Sequence, residues 1–203
     1  MKIQKIINDA YDQIYRIRTN LAYLYKFLTF VTPFLTIAFY FVFVLDYLPS
    51  SLAGKYGVFV IAYLFPPAGK ESIIPAMLAS GIPSWVVWST IIIMDVISAS
   101  IIAYNWWFAE LIITHIPFLD RGYAWLQKKA KKFEKKRLLT LSLLLFMIIP
   151  FQGTGGISTP ILSRLLGVRA KKTVFIVLVG SIITTTLWIL WWEGLLNFLN
   201  SIL

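Results

Sequence analysis

Two carboxylates stand where a lipid-facing chain should carry none. Asp95 lies near the middle of the apolar run from Trp85 to Trp107, and Glu71 sits in Gly69-Lys70-Glu71-Ser72-Ile73-Ile74-Pro75. A charged side chain at the centre of a span costs about 2.5–3.5 kcal/mol on insertion scales, which a purely structural helix has little reason to bear. Asp95 therefore reads as functional, the alternative being a hydrogen bond to a hairpin backbone or to Ser98. Acids at membrane depth recur in proton relays, which makes Glu71 a candidate proton carrier. A structural pair of Glu71 with Lys70 or Arg164 fits the sequence equally well.

A second polar stretch runs from Pro150 to Pro160. Gln152, Thr154, Ser158 and Thr159 supply neutral donors and acceptors. Gly153, Gly155 and Gly156 let backbone N–H groups turn toward one point, an arrangement suited to an anionic headgroup or phosphate, and Arg164 could serve the same anion. The plainer explanation is that the glycines allow a tight reversal and close helix packing. Pro66, Pro67, Pro75, Pro150 and Pro160, with Gly156, read as the structural breakers of two hairpins. No nucleophile–base pair, phosphate loop or metal-ligand cluster occurs, so neither enzyme activity nor a cofactor is expected.

The surrounding chain is that of a membrane protein. Its 203 residues are 59% hydrophobic and only 14% charged, with mean hydropathy +0.76, far from soluble composition. Cysteine is absent and His115 is the single histidine, which excludes a disulfide framework, a thiolate metal site and a His cluster. No cleavable signal is expected before Lys26. The net charge of +10 is gathered beside apolar runs, so membrane headgroups rather than nucleic acid explain it.

In order, residues 1–26 read as an amphipathic helix on the membrane surface, with Ile3, Ile6, Ile7, Ala10, Ile14 and Ile17 on one face. Residues 27–203 read as a single membrane domain. Its first span is 27–48, with Pro33 near the start, where proline does little harm. Residues 58–82 are an apolar stretch broken at Pro66–Ser72, too short on either side of the break to cross. The second span is 85–107. Residues 109–137 form a basic linker helix, 138–163 a second broken hairpin, and 173–196 the last span, with Trp191, Trp192 and Glu193 at an interface. Unpaired backbone is not tolerated in hydrocarbon, so both breaks must be buried in protein or line a polar cavity.

Charge placement gives the topology. Of 19 Lys and Arg, most fall in 2–26, 121–137 and 164–172, and the positive-inside rule makes all three cytoplasmic. The 58–82 segment must then enter and leave from outside, and 138–163 from inside. The expected fold is an all-α inverted repeat of two re-entrant hairpins, each followed by a transmembrane helix. Pro75 precedes Trp106-Trp107, and Pro160 precedes Trp191-Trp192, by the same interval. Opposed broken helices of this kind hold midplane substrate sites in many transporters.

The motifs Gly69-Lys70-Glu71-Ser72-Ile73-Ile74-Pro75, Ala79-Ser80-Gly81-Ile82-Pro83, Asp95, Asn105-Trp106 and Pro150-Phe151-Gln152-Gly153-Thr154-Gly155-Gly156 resemble the small multidrug export protein family, in its archaeal-type branch. That family is similar to the DedA/VTT membrane proteins. The resemblance implies two re-entrant hairpins meeting in the bilayer and, for DedA-type relatives, movement of lipids such as polyprenyl phosphates, with Glu71 and Asp95 at positions like those linked to proton coupling. The chain departs from the arginine-rich DedA signature, of which Arg164 is what remains.

The expectation is a small transporter of an amphiphilic or lipid-like substrate, proton-coupled through Glu71 and Asp95. The alternatives are a gradient-independent lipid scramblase or flippase, and a non-transporting membrane organiser. Expected partners are membrane lipids, the substrate and a second copy in a homodimer, with no nucleic acid. The expected location is the plasma membrane, with the N-terminus and the 109–137 linker cytoplasmic and the C-terminus outside.

Overall fold

A computed structural model describes residues 2–64, 69–115, 121, 124, 128, 136–148 and 155–202. Every regular element among them is an α-helix: α1 (Lys2–Tyr47), α2 (Ser50–Leu64), α3 (Lys70–Ala79), α4 (Ser84–Tyr104), α5 (Trp106–His115), α6 (Lys136–Ile148), α7 (Ser158–Leu165) and α8 (Ala170–Ile202).

Among the described residues three apolar stretches are long enough to cross a bilayer, Thr19–Tyr47 in α1, Ser84–Tyr104 in α4 and Ala170–Leu195 in α8. By rise per residue the 15-residue α2 and 13-residue α6 reach only about 20 Å, short of the roughly 30 Å hydrocarbon core. The 10-residue α3 and 8-residue α7 are shorter still. Length thus separates apolar helices long enough to cross from those that cannot cross alone.

The boundaries differ in places from those read off the sequence. Residues 2–26 and 27–47 belong to one helix, so Pro33 lies deep inside α1 rather than near a helix start. Nothing breaks the chain at Lys26, because no glycine or proline stands there. The first arm of the 58–82 segment begins earlier, at Ser50, since Ser50 to Gly57 continue the helix despite their polarity. The 85–107 span ends at Tyr104, where Asn105 leaves helical geometry and α5 begins. Within the 109–137 linker only 109–115, Arg121, Ala124, Lys128, Lys136 and Arg137 are described.

α4 and α8 form the central pair, and both α3 and α7 pack against the two of them. Cross-contacts fix their direction. Ser84 donates to Glu193, Trp88 Nε1 to Thr186 Oγ1 at 2.9 Å and Ser181 to Asp95, so the two helices run antiparallel. α1 also runs antiparallel to α4, since Tyr47 meets Trp85 edge to face, Tyr40 meets Thr90 and Lys26 lies over Trp107.

Burial grades these helices. The apolar window of α4 is 56% buried inside the protein, that of α1 only 11%, so α1 is the peripheral helix whose Phe27, Phe34 and Phe39 face outward. The main core joins Val44, Tyr56, Ile74, Met77, Val86 and Val87 from α1 to α4. A smaller one joins Leu143, Val168 and Ile176. Between apolar helices in lipid there is no water to expel, so close contact and buried polar bonds carry the association. α3 turns back into α4 at Gly81, whose φ of +85° is left-handed backbone that glycine adopts without strain.

Candidate functional site

The two places where the chain breaks converge on Asp95. Its carboxylate is 2% exposed and lies 2.6 Å from Lys70 Nζ, the ammonium at the start of α3. Tyr63, near the end of α2, donates to Oδ1 at 2.8 Å. The backbone N–H of Gly156, in the turn before α7, donates to the same oxygen at 3.0 Å. On α8, Ser181 donates to Oδ2 at 2.6 Å. Lys70 completes the ring by donating to Thr184 Oγ1 at 3.0 Å and Ser181 Oγ at 3.3 Å.

Each of these bonds has a local cause. Lys70 opens α3 after Gly69, so its side chain leaves the helix at the break itself. Asp95 lies midway along α4, opposite Ser181 on antiparallel α8. Gly156 reaches Asp95 because it has no side chain: a Cβ there would stand 2.5 Å from Asp95 Cα and 2.6 Å from its carbonyl oxygen. That contact is backbone on backbone, with no flexible group able to yield.

Every proton of the ammonium and both carboxylate oxygens therefore have partners, and five segments meet at one ion pair. Buried pairs add little net stability against an apolar replacement, but removing one partner strands a charge and is costly. Among the described residues no group of acidic or histidine side chains could hold a metal ion.

The sequence-derived candidates divide. Lys70, Asp95, Gly155 and Gly156 come together; a Cβ on Gly155 would stand 3.2 Å from Asp95 Oδ1 and 3.6 Å from the Tyr63 hydroxyl. Glu71 does not pair with Lys70, because successive residues of a helix do not face each other. Its carboxylate instead folds back over Gly69, at the edge of the site. Neither does it pair with Arg164, which donates to the Val168 carbonyl at 2.7 Å and lies over Trp106. Ser158 is half-buried at the start of α7, while Thr159 and Pro160 are buried within it. Pro75 is inside α3. Gln152, Gly153, Thr154, Pro150, Pro66 and Pro67 lie outside the described residues.

The sequence reading missed Tyr63, Ser181 and Thr184. Ser181 and Thr184 carried a usable signal, being polar residues one helical turn apart in a mostly apolar span that also holds Thr185 and Thr186. Tyr63 carried none, since a tyrosine in apolar sequence is ordinary. Asp95 was expected to be functional together with Glu71, or else to bond hairpin backbone or Ser98. The backbone bond is present, through Gly156, but the main partner is Lys70.

Antiparallel apolar helices around a buried ion pair, flanked by helices too short to cross, indicate a membrane protein built about an internal polar site. The chain belongs to the family described as "Putative small multi-drug export protein", whose profile matches residues 71–187. The match takes in Glu71, Asp95, both site glycines, Ser181 and Thr184, while Tyr63 and Lys70 fall just before it. No curated protein and no solved structure matches the chain. Family membership indicates a role in membrane export or transport.

Proposed function

We propose that this protein is a small DedA-like transporter of an amphiphilic or lipid-like substrate, coupled to protons through Asp95. The observation that carries the reading is the buried Lys70–Asp95 pair, held where both chain breaks meet. α2 with α3, and α6 with α7, act as re-entrant hairpins, each followed by a crossing helix. Their lengths support this, as does the antiparallel course of α4 and α8.

The spacing of residues around the site also repeats. Pro75 and Pro160 stand 85 positions apart, and so do Lys70 and Gly155, and Asp95 and Gly180. The first break reaches α8 through Lys70, and the second reaches α4 through Gly156. Each hairpin thus touches the span of the other half as well as its own, which supports the reading of an inverted repeat. With basic segments inside, the N-terminus and the 109–137 linker are cytoplasmic and the C-terminus external, in the plasma membrane.

In the working cycle, protonation of Asp95 frees Lys70, and the freed ammonium attracts the anionic group of the substrate. Release of the proton on the other side restores the pair and expels the anion. Glu71, at the rim, passes protons toward the pair. The test is movement of a headgroup-labelled phospholipid in proteoliposomes, with and without a pH gradient. Gradient-dependent movement that is lost in Asp95→Asn and slowed in Glu71→Gln is the expected result. Gradient-free movement would replace coupling with scrambling, and no movement under any condition would sink the lipid substrate.

A further inference from the structure

α1 is longer than a crossing needs, and its pattern changes where it leaves the bilayer. Its 46 residues span about 70 Å, against roughly 30 Å of hydrocarbon. The apolar stretch is Thr19–Tyr47, so residues 2–18 carry the helix about 25 Å further. No glycine or proline stands between Lys2 and Thr32, and the helix is unbroken there. Ile7, Ile14, Leu21 and Leu28 recur every seven residues, and Ile3, Ala10, Ile17 and Leu24 stand between them at intervals of four and three. These are positions a and d of a strict heptad. A straight helix drifts by about 20° per heptad, so a row that keeps to sevens forms one continuous seam only when helices supercoil around each other.

Packing shows which way this seam faces. Lys26, Pro33, Tyr40 and Tyr47 also stand seven apart, at position f, on the side of the helix opposite a and d. All four meet the protein body. Lys26 lies over Trp107, Pro33 is buried, Tyr40 bonds Thr90 of α4 and Tyr47 packs on Trp85. Leu21, Leu24 and Leu28 are correspondingly exposed. Continued toward the N-terminus, the body-side row holds Lys5, Asp12 and Thr19, with Lys2, Asp9 and Arg16 at the neighbouring position c. Register therefore puts the polar row on the body side and the apolar seam away from it. Within the bilayer lipid covers an outward apolar row. Beyond the hydrocarbon that row meets water, and an apolar partner is needed to cover it.

We propose that residues 3–28 of α1 form a parallel two-stranded coiled coil with the same residues of a second copy of this chain. Copies inserted in one membrane share an orientation, so their α1 helices run parallel and identical positions meet across a two-fold axis. Charge fits this occupant. Parallel pairing sets position g of one helix against the next position e of the other, which matches Ile6 with Tyr11, Gln13 with Arg18 and Asn20 with Tyr25. No like charges meet. Lys5 with Asp9, and Asp12 with Arg16, stand four apart and balance within each helix. Isoleucine at position a, here Ile7 and Ile14, favours two strands. A strip about 38 Å long and about 10 Å wide on each helix buries roughly 800 Å² in the pair. That is little for freely diffusing proteins, but anchoring both copies in one membrane raises their effective concentration as a linker does. The inference does not rest on the transport reading.

The chain has no cysteine, so single cysteines report contacts without background. Ile7→Cys and Ile14→Cys on the seam, and Lys5→Cys and Asp12→Cys opposite it, are oxidised in proteoliposomes at low protein density. Disulfide-linked dimers are expected from the two seam variants and not from the other two. Native mass spectrometry of the detergent-purified full-length protein should show two copies for the wild type. The double variant Ile7→Glu with Ile14→Glu sets like charges in the seam and should give one copy, while Lys5→Gln with Asp12→Asn should keep two. The cysteine variants change little in size or polarity, so they decide the matter even where the glutamates impair insertion. Linkage at all four positions, linkage at none, or a wild type of one copy overturns the proposal. Absence of linkage with both seam cysteines shielded from a water-soluble thiol reagent would name the membrane surface as the cover instead.

Discussion

α4 carries two buried polar clusters, and they are built on opposite terms. Toward its start, Thr90 Oγ1 meets the Tyr40 hydroxyl at 2.9 Å and the Tyr56 hydroxyl at 3.0 Å, and Tyr40 also meets Ser89 at 2.7 Å. All four groups are neutral and can donate or accept, so each is satisfied within α1, α2 and α4. Further along, Asp95 and Lys70 satisfy one another only as ions, and they draw on α2, α3, α8 and the turn before α7. The neutral cluster holds helices together whatever the proton supply. The charged one joins five segments through a single ion pair, so the loss of either charge strands the other.

Removing one charge should have the largest effect. Lys70→Met or Asp95→Leu alone should destabilise the protein by about 3–5 kcal/mol, by stranding the other ion. The double replacement should recover most of that loss in thermal unfolding in detergent while transport stays abolished. A double variant no more stable than the singles would show that the surrounding hydroxyls, not the unpaired charge, set the cost.

The site glycines sharpen the comparison. Gly156→Ala presses a Cβ into the Asp95 backbone and should cost about 1–3 kcal/mol by overpacking. Gly155→Ala meets only the tip of the Asp95 side chain, at 3.2 Å, which can shift by a few tenths of an ångström. It should cost clearly less while perturbing transport, because it crowds the pair itself. Equal melting temperatures for the two variants would contradict the close backbone crossing.

In the neutral cluster, Tyr56→Phe should cost about 1 kcal/mol, the worth of an ordinary buried hydrogen bond. It should leave any gradient dependence of transport untouched, whereas Asp95→Asn removes it. A change in gradient dependence in Tyr56→Phe would mean that the two clusters work as one. The smallest effect should come from Phe39→Ala on the outward face of α1, where the ring is 79% exposed. Lipid replaces the lost contacts there, so the change should stay within about 0.5 kcal/mol in thermal unfolding.

By itself the sequence determined which segments can cross a membrane and which cannot. Hydrophobic run length and the placement of Pro, Gly and basic residues are local properties, and bilayer thickness converts them directly into spans and breaks. It also singled out Asp95, because an acid in the middle of an apolar helix is conspicuous without any knowledge of its neighbours. The partner was another matter. Lys70 stood beside Glu71 in the chain, and only the packing of α3 between α4 and α8 turned it to Asp95 instead. Tyr63 was invisible as a site residue for the same reason, and Ser181 and Thr184 showed only as polar positions without a partner. A hydroxyl in an apolar helix can bond its own backbone, as Thr32 and Thr36 do on α1, or cross to another element. Tertiary structure alone decides between these, since the choice depends on what the facing helix presents at that depth.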